Sequence, residues 1–115
     1  MMNLAQIIEE LDLTLLTEPR DAAAIEPQGG YASDLLSCVM AGAIHGGLWV
    51  TLQAHGNIVA VAALLDQVAV IITEAAQPDQ TTIANANSEG IILLSTPKPT
   101  FEIVGRLWEL GIRTQ

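Results

Sequence analysis

The chain is short of positive charge, cysteine and aromatic rings. Four lysines and arginines stand against thirteen aspartates and glutamates in 115 residues, a formal net charge of −9. Such an acidic chain offers no electrostatic footprint to a nucleic-acid backbone or to an anionic membrane surface, which argues against both as partners. Cys38 is the single cysteine, so an intrachain disulfide and a Cys-based metal site are excluded, as fits a reducing, cytoplasmic setting. The aromatics are Tyr31, Trp49, Phe101 and Trp108. Neither a Walker phosphate loop nor a dinucleotide-binding glycine fingerprint occurs. The most apolar stretch, residues 58–72, is interrupted by Asp66 and Gln67 and is too short to cross a bilayer core of about 30 Å. Acidic rather than basic residues stand near the start, with no small-residue cleavage site, so no secretion signal is expected.

What remains is apolar. Half of the residues are hydrophobic, enough to exclude disorder and to give residues 1–115 one core, in a length typical of a single domain. Leu4, Ile7, Ile8 and Leu11 recur at helical spacing behind a capping Asn3, so the first helix runs over residues 2–11. A short strand follows over residues 13–16, then a polar loop that ends at Gly29-Gly30-Tyr31. Ser33 or Asp34 can cap a second helix over residues 35–43. Residues 48–52, 68–72 and 91–94 read as buried strands, the middle one a β-branched run of the kind found inside parallel sheets. Between them lie a helix over residues 58–65 capped by Asn57, and a polar helix opened by Pro78-Asp79 and stopped by Gly90. A last helix starts at Thr100, with Phe101, Val104, Leu107, Trp108 and Leu110 as its apolar face and Gly111 as its stop. This alternation predicts an α/β layered domain, with helices on both faces of a small, mostly parallel sheet.

In such sheets ligands collect at the carboxyl ends of the strands. Three segments qualify, each with a plain structural reading beside the functional one. Thr51, Gln53, His55 and Asn57 follow the strongest strand and offer polar groups to an anion, or else cap the next helix and satisfy loop backbone. Gly30 and Asp34 belong to a glycine-rich turn that permits close backbone approach, or simply turns the chain. Thr96 and Lys98, the single lysine, lie in a turn stiffened by Pro97 and Pro99, where they can meet a phosphate or carboxylate or stay solvated.

Enzyme constellations are missing. His45 and His55 have no second ligand at metal-binding spacing, Cys38 sits among Leu36, Val39 and Met40 as expected of a buried inert thiol, and Glu9, Glu10 and Asp12 form a solvated face. No catalyst, metal or cofactor is expected. The helix over residues 58–65 is apolar around its whole circumference, which suits either deep burial or cover by a second copy. The expectation is a homodimer through Ile58, Val59, Ala62 and Leu65.

The run Gly29-Gly-Tyr-Ala-Ser-Asp-Leu-Leu-Ser-Cys-Val-Met40, followed by Leu48-Trp-Val-Thr-Leu-Gln-Ala-His-Gly-Asn-Ile-Val-Ala-Val-Ala62, resembles the DRTGG domain family. The likeness continues through Val70-Ile-Ile-Thr73, Pro78-Asp79, Glu89-Gly-Ile91 and residues 96–101, and spans about Leu11 to Ile112. In the namesake motif, Glu26-Pro27-Gln28-Gly29-Gly30 keeps both glycines and replaces the Asp-Arg-Thr. The resemblance implies a three-layer α/β/α fold similar to the N-terminal domain of HPr kinase/phosphorylase. It also implies the role such domains have in phosphate acetyltransferases and CBS-domain pyrophosphatases, that of a non-catalytic regulatory module that helps to build a dimer. Among polar and glycine positions, Gly30, Asp34, Gln53, His55 and Asn57 match the family best. The resulting expectation is a regulatory homodimer that binds a small anionic or nucleotide-like ligand and acts on a partner enzyme. The alternative is a protein-interaction adaptor without a small-molecule pocket.

Overall fold

Asn3 opens helix α1 (Leu4–Leu11) through a reciprocal pair: its side chain accepts from the Gln6 amide, and the Gln6 side chain accepts from the Asn3 amide, both at 2.9 Å. Asp12, at φ 53°, turns the chain out of that helix. The computed structural model describes residues 2–114. Strand β1 (Thr14–Leu15) follows, then a 3-10 turn at Ala22–Ala24 and strand β2 (Gly30–Ala32). From there strand and helix alternate: α2 (Leu36–Gly42), β3 (Leu48–Thr51), α3 (Asn57–Leu64), β4 (Ala69–Ile72), α4 (Gln80–Glu89), β5 (Ile92–Ser95) and α5 (Thr100–Glu109).

The five strands lie in the order β1-β5-β4-β3-β2, parallel except for β1, which runs antiparallel to β5. Strands β2 to β5 thus step across the sheet in one direction, and their connecting helices fall on one face. Val39 of α2, Ile58, Val59 and Ala62 of α3 and Ala86 of α4 pack there with Trp49, Val70, Ile72 and Leu93. The other face carries the two flanking helices, with Leu4, Ile7 and Leu11 of α1 and Ile103 and Leu107 of α5 against Leu48, Val50, Ala69, Ile71, Ile92 and Leu94. Alternate residues of each central strand therefore serve opposite cores, and the three-layer α/β/α arrangement follows from the strand pattern.

Several local expectations are corrected. Gly29-Gly30-Tyr31 does not simply end a loop, because Gly30–Ala32 pairs with Leu48–Val50 as the edge strand β2. Neither Ser33 nor Asp34 caps α2. Leu35 occupies the cap position without a side-chain bond, because the Asp34 carboxylate is turned toward β3. Asn57 is the first residue of α3 rather than its cap, and its amide donates to His55 Nδ1 at 3.1 Å. Cys38 is exposed, not buried. On α5 the buried residues are Ile103 and Leu107, whereas Phe101 is 92% exposed and Trp108 47%.

The expected dimer residues Ile58, Val59, Ala62 and Leu65 are buried in this chain's own core, so they are not free to meet a second copy. A helix under three-sided cover needs an apolar circumference without any partner, which is why the composition of α3 misled. What α3 leaves exposed is Asn57, Ala60 and Leu64.

Candidate functional site

At the carboxyl ends of the parallel strands the apolar side chains give way to hydroxyls. Thr51, Thr73, Ser95 and Thr96 are all buried. Buried hydroxyls need partners. Thr51 Oγ1 donates to Asp34 Oδ1 at 2.8 Å, and the same carboxylate oxygen accepts from the Leu52 amide at 2.8 Å. Gln53 closes this knot, its amide donating to Thr51 Oγ1 at 3.0 Å and its side-chain Nε2 to the Asp34 carbonyl at 3.2 Å. Asp34, Thr51 and Gln53, named separately from the sequence, therefore form one hydrogen-bonded unit joining the ends of β2 and β3.

The next junction is the informative one. The connection leaving β4 leads to α4 on one face, whereas the connection leaving β5 leads to α5 on the other. Divergence of neighbouring connections marks the switch point where open α/β sheets receive ligands. Thr73 follows β4 there, its hydroxyl within hydrogen-bond distance of the Thr51 carbonyl (3.4 Å) and bonded to the Thr100 hydroxyl. Glu74 and Ala75 follow, both at φ 61°, two consecutive left-handed residues without a glycine. Such backbone costs about 1–2 kcal/mol per residue and persists only where the surroundings hold it. They are held by the Glu74 amide donating to the Lys98 carbonyl at 2.9 Å and the Ala75 amide donating to the Thr96 carbonyl at 3.1 Å. The geometry aims the Glu74 carboxylate at the start of α5, where Oε2 accepts from the Thr100 amide at 2.7 Å. A carboxylate at a helix N-terminus is favoured by the free amides and by the helix dipole.

Thr96 and Lys98 also lie at this junction: Thr96 Oγ1 accepts from the Lys98 amide at 3.2 Å, and Lys98 is half-buried. His55 and Asn57 do not. They stand where α3 and α4 begin side by side, with Thr82 of α4 against Gly56. Asp79 caps α4 by accepting from the Thr82 amide at 2.8 Å. That backbone bond and then the Thr82 hydroxyl lower the Asp79 pKa, with desolvation opposing them and the nearby His55 contributing least to the lowering. Gly30 is also elsewhere, its amide donating to the Arg113 carbonyl at 3.1 Å. The residues missed from sequence are Thr73, Glu74 and Thr100. Left-handed backbone is usually announced by Gly or Asn, and Glu74-Ala75 gives no such signal.

Among the described residues no group of three or more His, Cys, Asp or Glu could hold a metal ion, and no helix is long and apolar enough to cross a membrane. Comparison with protein-family models finds no match, and comparison with curated protein sequences finds none either. Among solved structures, the chain is similar to the CBS and DRTGG domains of the regulatory region of Clostridium perfringens pyrophosphatase, complexed with its activator diadenosine tetraphosphate. The TM-score is 0.73 and the identity 16%, over 90% of this chain and 44% of that one. The chain thus spans under half the length of that neighbour. The fold is DRTGG-like, and at this identity the likeness is one of fold.

Proposed function

We propose that this domain is a non-catalytic regulatory module that senses a small anionic, nucleotide-like ligand at the β4/β5 strand ends. The observation that carries the reading is the Glu74 carboxylate on the Thr100 amide, an anion of the chain's own held at the switch point by two left-handed residues. A ligand anion competes with it for the same amide. Release of Glu74 relaxes the strained turn and offsets part of the exchange, and Lys98 supplies the cation that a net charge of −9 otherwise denies. Asp34, Thr51 and Gln53, at the neighbouring strand ends, offer a carboxylate and an amide to the rest of such a ligand. Likeness in fold to a regulatory region crystallised with a dinucleotide activator supports the same class of ligand.

Thermal unfolding in the presence of mono- and dinucleoside polyphosphates tests the reading. The expected result is a raised Tm for at least one of them, lost in Lys98→Ala and enlarged in Glu74→Gln, where the internal competitor is uncharged. A nucleotide effect indifferent to both substitutions, or none at all, removes the proposed site.

A second reading, a protein-interaction adaptor that works as a homodimer or on a partner enzyme, is favoured by one observation. Leu35, Met40 and Leu64 are more than half exposed on α2, its cap and α3. Light scattering at micromolar concentration checks it. A species of twice the chain mass, reduced to the monomer by Leu64→Ser, supports self-association on that side, and a monomer at every concentration removes it.

A further inference from the structure

Helices α1 and α5 do not reach across the whole of their face, and beside the edge strand β2 they leave a cavity of about 250 Å³. Its walls are Ala32, Val50, Val104, Leu107, Trp108 and Ile112, with hardly any polar surface. It shares no residue with the β4/β5 junction. An apolar cavity of about 150 Å³ already takes up benzene, so this one has room for a bicyclic ring. At its rim the Arg113 guanidinium lies 4.5 Å over the centre of the Trp108 ring. Although the chain has thirteen acidic residues, none of the described ones lies within ion-pair distance of Arg113. An apolar recess with an unpaired guanidinium at its mouth is complementary to a flat apolar body that bears one negative charge.

We propose that this cavity binds an aromatic carboxylate, with its rings between α5 and the β2–β3 face and its carboxylate on Arg113. The ring system gains the apolar cover that the sheet lacks here and an edge contact with Trp108. The guanidinium gains the bidentate partner that none of the described acidic residues supplies. Phosphate-rich ligands suit the walls less well, because the lining is mostly apolar and Arg113 is its one charged side chain. An extended peptide added to the sheet edge fits less well. β2 has three residues, and its outward-facing Gly30 amide is already taken by the Arg113 carbonyl, which leaves only Ala32 to pair outward.

Calorimetric titration of the intact chain with 2-naphthoate and with the neutral 2-naphthamide tests this. The carboxylate is expected to bind at least tenfold more tightly than the amide. In Arg113→Gln that preference disappears while the amide binds as before. In Val104→Phe, which fills the recess, both ligands are lost, and a Tm no lower than that of the parent chain shows that the fold is intact. Equal binding of the two ligands, or 2-naphthoate binding unaffected by either substitution, overturns the proposal. So does the absence of binding at millimolar ligand, or binding of an acidic peptide where 2-naphthoate fails.

Discussion

Three helices, α2, α3 and α4, cover one face of the sheet, whereas α1 and α5 alone cover the other. The three are crossover connections between neighbouring parallel strands, so topology places them edge to edge. The two are the flanking helices of the chain, free of that constraint, and they leave β2 open on their side. Full cover buries the apolar side chains that a helix turns toward the sheet and its neighbours, as with Ile58, Val59 and Ala62, and leaves exposed only its outer surface, Leu64 included. Partial cover strands large ones, and the result is a cavity rimmed by Trp108 with Phe101 exposed beyond it. Apolar surplus therefore has opposite meanings on the two faces, and only the arrangement of cover distinguishes them.

The two tryptophans give the sharpest test. Trp49 is fully buried on the three-helix face, and its indole nitrogen donates to the Ser33 carbonyl at 2.9 Å. Trp49→Ala is expected to cost about 3–5 kcal/mol in denaturant unfolding, from lost burial and the cavity left behind. Trp108→Ala on the partly covered face is expected to cost about 1 kcal/mol or less, as a half-exposed side chain with a cation–π contact. Equal costs would break the comparison.

Thr51 sharpens it at the strand ends. Thr51→Val keeps the shape but removes the hydroxyl that serves Asp34 and the Gln53 amide, and about 1–2 kcal/mol is expected from the hydrogen bonds lost. Urea midpoints at constant slope check it, and an unchanged midpoint would mean that the knot joining β2 to β3 contributes nothing. At the junction where the connections part to opposite faces the sign reverses. Ala75 is exposed at φ 61°, so Ala75→Gly relieves left-handed strain and is expected to raise stability by about 0.5–1 kcal/mol, less the added freedom of the unfolded chain. A fall in Tm would show that the turn is not strained.

The same contrast explains what was legible in the amino-acid sequence. Elements with a local signature were readable: the capped start of α1 at Asn3, the β-branched run of β4, and α4 between Asp79 and Gly90, whose φ of 73° closes the helix. The layered fold followed from their alternation. Edge strand β2 was not readable, because three residues starting at a glycine pair carry the marks of a turn and become a strand only through Leu48–Val50. Asp34, Thr51 and Gln53 were visible as polar groups but not as one unit, since the bonds that tie Asp34 to the other two span 17 to 19 positions along the chain. Which apolar residues of α3 and α5 are covered depends on neighbours far along the chain. Periodicity alone could not separate Ile58, buried, from Phe101, exposed.

The smallest expected effect is a pH dependence at the start of α4. The Asp79 carboxyl is held below its ordinary pKa chiefly by the Thr82 amide, then by the Thr82 hydroxyl, with His55 adding a little and desolvation opposing. A carboxyl with a lowered folded pKa keeps its charge to lower pH than the unfolded chain does. Its contribution is therefore complete above the ordinary carboxylate range and disappears as pH falls through the folded value. Asp79→Ala is accordingly expected to lower the urea midpoint at neutral pH, with the gap to the parent chain closing on acidification. Asp79→Asn retains a capping oxygen without the titration, so it should lie between the two at neutral pH and change least with pH relative to Asp79→Ala. Because α4 belongs to the fully covered face, the loss should remain local, seen as faster amide exchange at Thr82 and Ile83 while Val70 and Leu93 stay protected. Exchange that quickens equally in the strands would mean that α4 is integral to the core it covers, and that the well-covered face unfolds as one unit.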